Sequence, residues 1–229
     1  MPSYLENFIS NTSILISTTS PYLIILGFLI GSIPFGLLVS IIAGYGDIRK
    51  IGSGNIGATN VLRTGNKSLA ALTLFMDLSK GFLPLYLNKI LIIDKLNHEI
   101  ISLQYAFTCL ALVLGHMYSP FLKFRGGKGV ATSAGILIFL SWPCFILTIL
   151  IWVLVAFSTK KSSLGALAAS LSAPIFLWSL KQISDVNTLY SFPKLYNSEI
   201  IVLVIIMIFI WFKHIPNIKR VINREEPKI

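Results

Sequence analysis

The sequence predicts an all-α polytopic membrane protein with seven transmembrane helices. Of its 229 residues 55% are hydrophobic and only 12% are charged, against a charged share of about 25% in soluble domains. The apolar residues fall in long runs separated by short polar connections, and the basic residues collect in alternate connections. Hydrocarbon offers backbone N–H and C=O groups no partner, so lipid-facing runs of this length are helical. The alternation of a membrane barrel is not visible. Seven spans of about 20 residues use up most of the chain, so residues 1–229 read as a single integral membrane domain.

The candidate spans are 21–43, 68–93, 100–119, 129–142, 143–158, 164–180 and 199–213. The first twenty residues contain Glu6 but no Lys or Arg. They lack the basic start of a cleaved signal peptide, so Tyr22 to Ala43 reads as a retained first span. Between 129 and 158 the triplet Ser141-Trp142-Pro143 has to turn the chain between two short spans. Read as one kinked helix, that stretch would leave six.

Charge separates the two readings. With seven spans one face carries Arg49, Lys50, Arg63, Lys67, Lys123, Arg125, Lys128, Lys160, Lys161, Lys213, Lys219, Arg220, Arg224 and Lys228, fourteen of the nineteen Lys and Arg residues. The other face carries Lys89, Lys95, Lys181 and Lys194, and Lys80 lies within the second span. The positive-inside rule then puts the N-terminus outside the cell and the C-terminus in the cytoplasm. The formal net charge of +10 reports orientation before it reports a ligand, so nucleic acid is a poor candidate partner. Cys109 and Cys144 lie in apolar segments and read as packing residues.

Two glycine-rich polar runs interrupt this apolar chain, both on the cytoplasmic face. Gly52-Ser53-Gly54-Asn55-Ile56-Gly57-Ala58-Thr59-Asn60 leads to Arg63, and Phe124-Arg125-Gly126-Gly127-Lys128-Gly129 leads into the fourth span. Glycine lets an anion approach backbone N–H groups, and flanking guanidinium and ammonium groups supply charge, so each run suggests a phosphate cradle. The alternative for the first run is a tight connection whose glycines merely let helices approach. The second is not a nucleotide-binding P-loop, because Gly129 follows Lys128 and Leu122 stands at the required first glycine. Lys128, amid small residues opening a helix, reads as an anion ligand, and Arg125 as a solvated or headgroup charge.

Several other polar residues have ordinary readings. Asp77 and Lys80 share one face of the second span and read as a mutual pair. His116 reads as a buried hydrogen-bonded ring and His98 as incidental. Ser162-Ser163 reads as a cap for a helix starting at Leu164. His214, with Asn217 three residues on, adds a titratable ring and an amide to the cytoplasmic face, while Lys219-Arg220 would meet anionic lipid. Asp47, Asp77, His116 and His214 have no recognised metal-ligand spacing.

Ser32-Ile33-Pro34-Phe35-Gly36, the run Gly52 to Asn60 with Arg63, Gly115-His116, Gly126 to Thr132, and His214 through Asn217-Ile218-Lys219-Arg220 stand in an order and spacing that resemble the bacterial acyl-phosphate:glycerol-3-phosphate acyltransferases, the PlsY family, along nearly the whole chain. The resemblance implies an inner-membrane enzyme, its active site facing the cytoplasm. It would move a fatty acyl group from acyl phosphate to the 1-hydroxyl of glycerol-3-phosphate, giving lysophosphatidic acid and inorganic phosphate. No metal, cofactor or obligate protein partner is implied. Carried over by position, the catalytic residues are Ser53, Arg63, Lys128 and His214. Gly52, Gly54, Asn55, Gly57, Thr59, Asn60, Gly126, Gly127, Ser163, Asn217 and Glu226 would bind substrate. Arg224 stands where the family's glycine is common, and Lys161-Ser162 replaces the usual apolar pair before Ser163.

An H-x-x-x-x-D acyltransferase signature is missing after all three histidines, which argues against a thioester-using relative. The rival from another class is a membrane transporter of a phosphorylated metabolite. It predicts polar residues near the bilayer midplane and inverted repeats, whereas here the polar residues gather at one face. The general base, His214 or a substrate phosphate, stays open, as does which phosphate each run holds.

Overall fold

The computed structural model describes Ser10 and residues 20–92, 98–186 and 195–228; Glu6, Lys95 and Lys194 lie outside these residues. All regular structure among the described residues is helical. The α-helices are α1 Ser20–Ser32, α2 Phe35–Ile42, α3 Ala58–Leu62, α4 Lys67–Ile92, α5 His98–Met117, α6 Val130–Leu140, α7 Trp142–Thr159, α8 Ser162–Val186, α9 Asn197–Lys213 and α10 Ile215–Ile222, with short 3-10 turns at Ile48–Lys50 and Pro120–Leu122.

Four of these helices, α4, α5, α7 and α8, are long and apolar enough to cross a membrane alone, and up to six spans result if each of two bent pairs is counted as one. The expected first span, 21–43, is such a pair. α1 and α2 meet at a 41° bend because Pro34 has no N–H to donate and disfavours a helical Ile33. α9 and α10 meet at 53° around His214, with Pro216 in the first turn of α10. The 129–158 stretch is two helices rather than one kinked helix. Ser141 is extended and its Oγ accepts from Cys144 N–H, capping α7 as Pro143 fills an early position where no donor is needed.

α6 is only 11 residues long, about 16 Å at 1.5 Å per residue, half the thickness of a hydrocarbon core. Its shortness follows from where it begins. A Cβ on Gly81 would lie 2.1 Å from the carbonyl oxygen of Thr132, and one on Gly135 would lie 2.0 Å from that of Leu78. The first turns of α6 therefore touch the middle of α4, and the second glycine-rich run reaches into the bundle. α1 and α5 cross as closely, since Gly31 abuts the Leu112 carbonyl and Gly115 that of Phe28. Small residues at such crossings gain van der Waals contact that lipid cannot outcompete.

The main core joins α4 to α9 through Leu85, Leu112, Val113, Met117, Ile136, Leu177 and Ile206. A second, smaller core sits under the first run: Ile48, Ile56 and Val61 pack on Leu37, Ala70 and Leu122. Leu122 belongs to the 3-10 turn that leads into the second run, so one apolar cluster carries both runs. Outward faces stay apolar, with Leu150, Leu154 and Phe157 of α7 exposed, as a lipid-facing helix requires.

Candidate active site

Asn60 organises the first run. It is 1% exposed, and its amide Nδ2 donates to the carbonyls of Ile48 (2.9 Å), Ile51 (3.1 Å) and Asn55 (2.8 Å). Its Oδ1 accepts from Ser53 N–H at 3.0 Å, Ser53 Oγ at 3.2 Å and Arg63 Nη1 at 3.3 Å. Both polar atoms are thus consumed inside the loop. Asn60, expected to bind substrate, shapes the loop and holds Ser53 and Arg63. Gly52 has φ +54°, and a Cβ there would strike Arg63 Cδ and Asn60 Oδ1, each at 2.6 Å. Glycine at 52 therefore lets the arginine stem lie across the loop. Gly54 donates its N–H to Ile51, while among the described residues the N–H groups of Gly52, Asn55 and Gly57 make no backbone hydrogen bond. Those three are the donors that a cradle needs.

The second run works differently. Gly126 donates to the Met117 carbonyl at 3.1 Å and Gly127 to that of His116 at 3.0 Å. A Cβ on Gly126 would sit 2.1 Å from the His116 carbonyl oxygen, and one on Gly127 2.1 Å from His116 Nε2. These two glycines were expected to offer N–H groups to a phosphate; instead they spend them on the end of α5. Close packing with α5 is what requires them to be glycine. Lys128, the next residue, is the group that the run delivers.

Lys128 Nζ donates to Asn217 Oδ1, Asn217 Nδ2 donates to Glu226 Oε1 at 2.7 Å, and Arg220 Nε donates to Glu226 Oε2 at 2.8 Å. Expected residues from two distant segments, Lys128 and the stretch from Asn217 to Glu226, therefore meet in one chain of contacts. Burial pulls the Lys128 ammonium down to about 8, opposed by Glu226 and reinforced by the positive charges of Arg220 and Arg63. Burial pushes the Glu226 carboxyl up, but hydrogen bonding from Asn217 and Arg220 and the neighbouring Ser163 leave it below its ordinary value. Arg224, at the position of the family's glycine, takes a left-handed φ of 62° and keeps the turn that brings Glu226 back.

His214 is 2% exposed, and its Nδ1 lies 2.8 Å from the Ile210 carbonyl. A carbonyl can only accept, so Nδ1 carries the proton and Nε2 presents a lone pair. Burial, then the charge of Lys128, holds the ring down at about 4, so it is neutral at pH 7. Ser162 and Ser163 do not cap a helix at Leu164, because α8 already begins at Ser162. Ser162 Oγ lies 3.3 Å from Thr59 Oγ1, tying α8 to the first run, and Ser163 Oγ is buried without a well-formed hydrogen bond. Arg125 is exposed, as expected.

Arg220 is the residue missing from the expected site. Its signal was its place three residues after Asn217, one turn along the strongly amphipathic α10. A second feature with no sequence signature is a half-open apolar cavity of about 60 Å³ between α6, α7, α8 and α9, lined by Val130, Leu137, Phe145, Trp152, Ala169 and Ile206 among others. Val130 follows Lys128 by two residues, and Ile210, which holds His214, is also in its wall. The cationic recess and the apolar cavity share a boundary.

A helical integral membrane protein with a cationic, glycine-rich cluster next to an apolar cavity fits a class that handles amphiphilic phosphorylated molecules. The sequence profile described as glycerol-3-phosphate acyltransferase matches residues 21–224. A glycerol-3-phosphate acyltransferase of Bartonella henselae is 44% identical over 216 residues, covering 94% of each chain, and one of Nitrobacter winogradskyi is 42% identical over 203 residues, covering 89% of this chain and 92% of its own. The crystal structure of PlsY (YgiH), an integral membrane glycerol 3-phosphate acyltransferase, in its glycerol 3-phosphate form superposes with a TM-score of 0.77 at 32% identity, covering 93% of this chain and 96% of that one. Its lysophosphatidic acid form gives 0.74 at 31% identity over the same shares. The chain belongs to the glycerol-3-phosphate acyltransferase family, the PlsY enzymes of phospholipid synthesis.

Proposed function

We propose that this enzyme transfers a fatty acyl group from acyl phosphate to the 1-hydroxyl of glycerol-3-phosphate, releasing lysophosphatidic acid and inorganic phosphate. The observation that carries the reading is the position of Lys128, at the boundary between the cationic recess and the apolar cavity. A donor with an acyl chain in the cavity and its phosphate at Lys128 would set its carbonyl carbon at that boundary. The glycerol oxygen attacks this carbon, the bond from carbon to the phosphate oxygen breaks, and inorganic phosphate leaves. An acyl phosphate is already activated, so alignment and charge neutralisation are the main tasks. Arg63 and Lys128 serve the two phosphates, with Arg220 nearby. Ser53 and the free N–H groups of Gly52, Asn55 and Gly57 add donors to one of them.

The hydroxyl proton has two candidate acceptors, His214 Nε2 and a substrate phosphate. Burial and the Lys128 charge hold the His214 ring below its ordinary value, which favours a substrate phosphate as the acceptor. His214 then positions through Nε2. Turnover abolished in His214→Gln, an amide that can still hydrogen-bond, would return the base role to histidine.

The same reading makes residues 1–229 one domain with seven spans, α1 with α2 forming the first and the short α6 the fourth. The site faces the cytoplasm of a bacterial inner membrane. The excess of basic residues on the site's side supports that orientation, and a C-terminal reporter active only outside the cytoplasm would overturn it. The donor is tested with purified protein, palmitoyl phosphate and glycerol-3-phosphate, without added metal. Phosphate release and lysophosphatidate formation are expected in equal amounts. Product formed only from acyl-CoA would overturn the donor assignment. Transport of glycerol-3-phosphate into vesicles without acylation would favour the carrier reading instead.

A further inference from the structure

Asp77, Lys80 and His116 form a buried cluster outside the cationic recess. Their side chains are 1–5% exposed, and no step above uses them. Lys80 Nζ lies 2.8 Å from Asp77 Oδ1 and donates to the Ile33 carbonyl at 2.8 Å. Ile33 stands at the break between α1 and α2, and three residues on Gly36 abuts the first run so closely that a Cβ would lie 1.9 Å from the Ile56 carbonyl oxygen. On the other side, Asp77 Oδ1 lies 3.8 Å from His116 Nδ1. The opposite ring nitrogen, Nε2, presses on Gly127, where a Cβ would lie 2.1 Å away. Lys128 is the next residue.

We propose that Asp77, Lys80 and His116 are a clamp that fixes the two glycine-rich runs relative to one another, and that they are positioning residues for acyl transfer. The contacts run from Ile56 through Gly36, Ile33 and Lys80 to Asp77, and across 3.8 Å of close packing without a hydrogen bond to His116 and so to Gly127. An ion pair is a poor choice for stability alone, because desolvating two charges cancels most of their attraction and apolar residues of similar volume pack as well or better. It is a good choice for geometry, since it holds Lys80 at one carbonyl and Asp77 beside one ring. Each run also keeps its own shape by local bonds, through Asn60 in the first and through the His116 and Met117 carbonyls in the second. Loss of the clamp therefore leaves each phosphate site intact and misaligns the two, and a misplacement near 1 Å costs about a hundredfold in rate.

The inference rests on the two-phosphate reading, and the test separates them: failure of that reading appears as a parent enzyme inactive with acyl phosphate. The variant is the paired replacement Asp77→Leu with Lys80→Met, which leaves no orphaned charge. It is purified, checked for a single eluting species and for melting well above the assay temperature, and assayed per folded molecule. The expected result is a kcat lowered at least about tenfold, with KM for both substrates within about threefold of the parent. A kcat within about twofold of the parent, or a loss confined to one KM, would overturn the clamp. A second variant decides the matter should the first not assemble. His116→Ala removes the ring through which the clamp reaches Gly127 and is expected to lower kcat about tenfold with both KM values held within about threefold. A kcat within about twofold of the parent in that variant would overturn the proposal equally.

Discussion

Lys128→Ala is expected to lower kcat/KM for acyl transfer about a thousandfold, the upper range for removing one preorganised donor from a developing charge. That corresponds to about 4 kcal/mol of transition-state stabilisation. The loss has two sources. The ammonium that meets a substrate phosphate disappears, and Asn217 Oδ1 loses its donor, which loosens the hydrogen bonds to Glu226 and through it Arg220. Lys128→Arg is not a rescue, because a planar fork cannot replace a compact point charge in a space shaped by Gly127 and Gly129. The same lysine sets the alkaline limb of the pH profile. Burial brings it to about 8 in the free enzyme, and the charged form is the useful one. The sign follows: kcat/KM holds as pH rises toward 8 and falls about tenfold per unit above it. In Lys128→Arg that limb moves beyond the accessible range, since a guanidinium stays charged. A limb still near 8 in the arginine variant would mean that another group titrates.

Asn60→Asp is expected to abolish activity while leaving the helical bundle assembled. The substitution changes almost no volume, but it turns an amide that donates to three carbonyls into a carboxylate that repels them. Each lost buried hydrogen bond costs about 1 kcal/mol, and carbonyls left without a donor add more, so the loop is destabilised by about 3 kcal/mol. The loop is peripheral to the main core and sits on its own small cluster. It should therefore open locally rather than unfold the protein. Proteolysis confined to residues 48–60, with at least about a hundredfold loss of turnover and unchanged melting of the bundle, is the combined signature. Retained activity would show that the loop tolerates another shape and that Asn60 does not aim Arg63.

How legible the site was depended on what each residue's neighbours are. Arg63, Lys128, His214 and Asn217 were readable because charge and amide groups are conspicuous in an apolar chain, whereas Glu226 came only from the family resemblance; the structure brings Lys128, Asn217 and Glu226 into one chain of contacts. Gly126, Gly127 and Asn60 were readable as special but not as to purpose. A glycine signals that backbone comes close to something, and only coordinates tell whether that something is a ligand or the end of α5. Arg220 was hidden among basic residues that also mark topology. The break at Pro34 was visible as a proline, yet its consequence, a carbonyl for Lys80, depends on a residue far along the chain.

The sequence by itself determined that this is a helical membrane protein and that two glycine-rich runs interrupt it. Those properties follow from hydrophobicity, charge and backbone freedom, which residues carry locally. Only the tertiary structure decided that Asn60 is spent inside its own loop, that the second run's glycines serve the packing of α5, and that an apolar cavity opens beside Lys128. Those properties are set by distances between residues far apart in the chain. The same buried contacts that fix those distances, from Gly36 against Ile56 to Gly127 against His116, leave no local pattern by which a sequence could announce them.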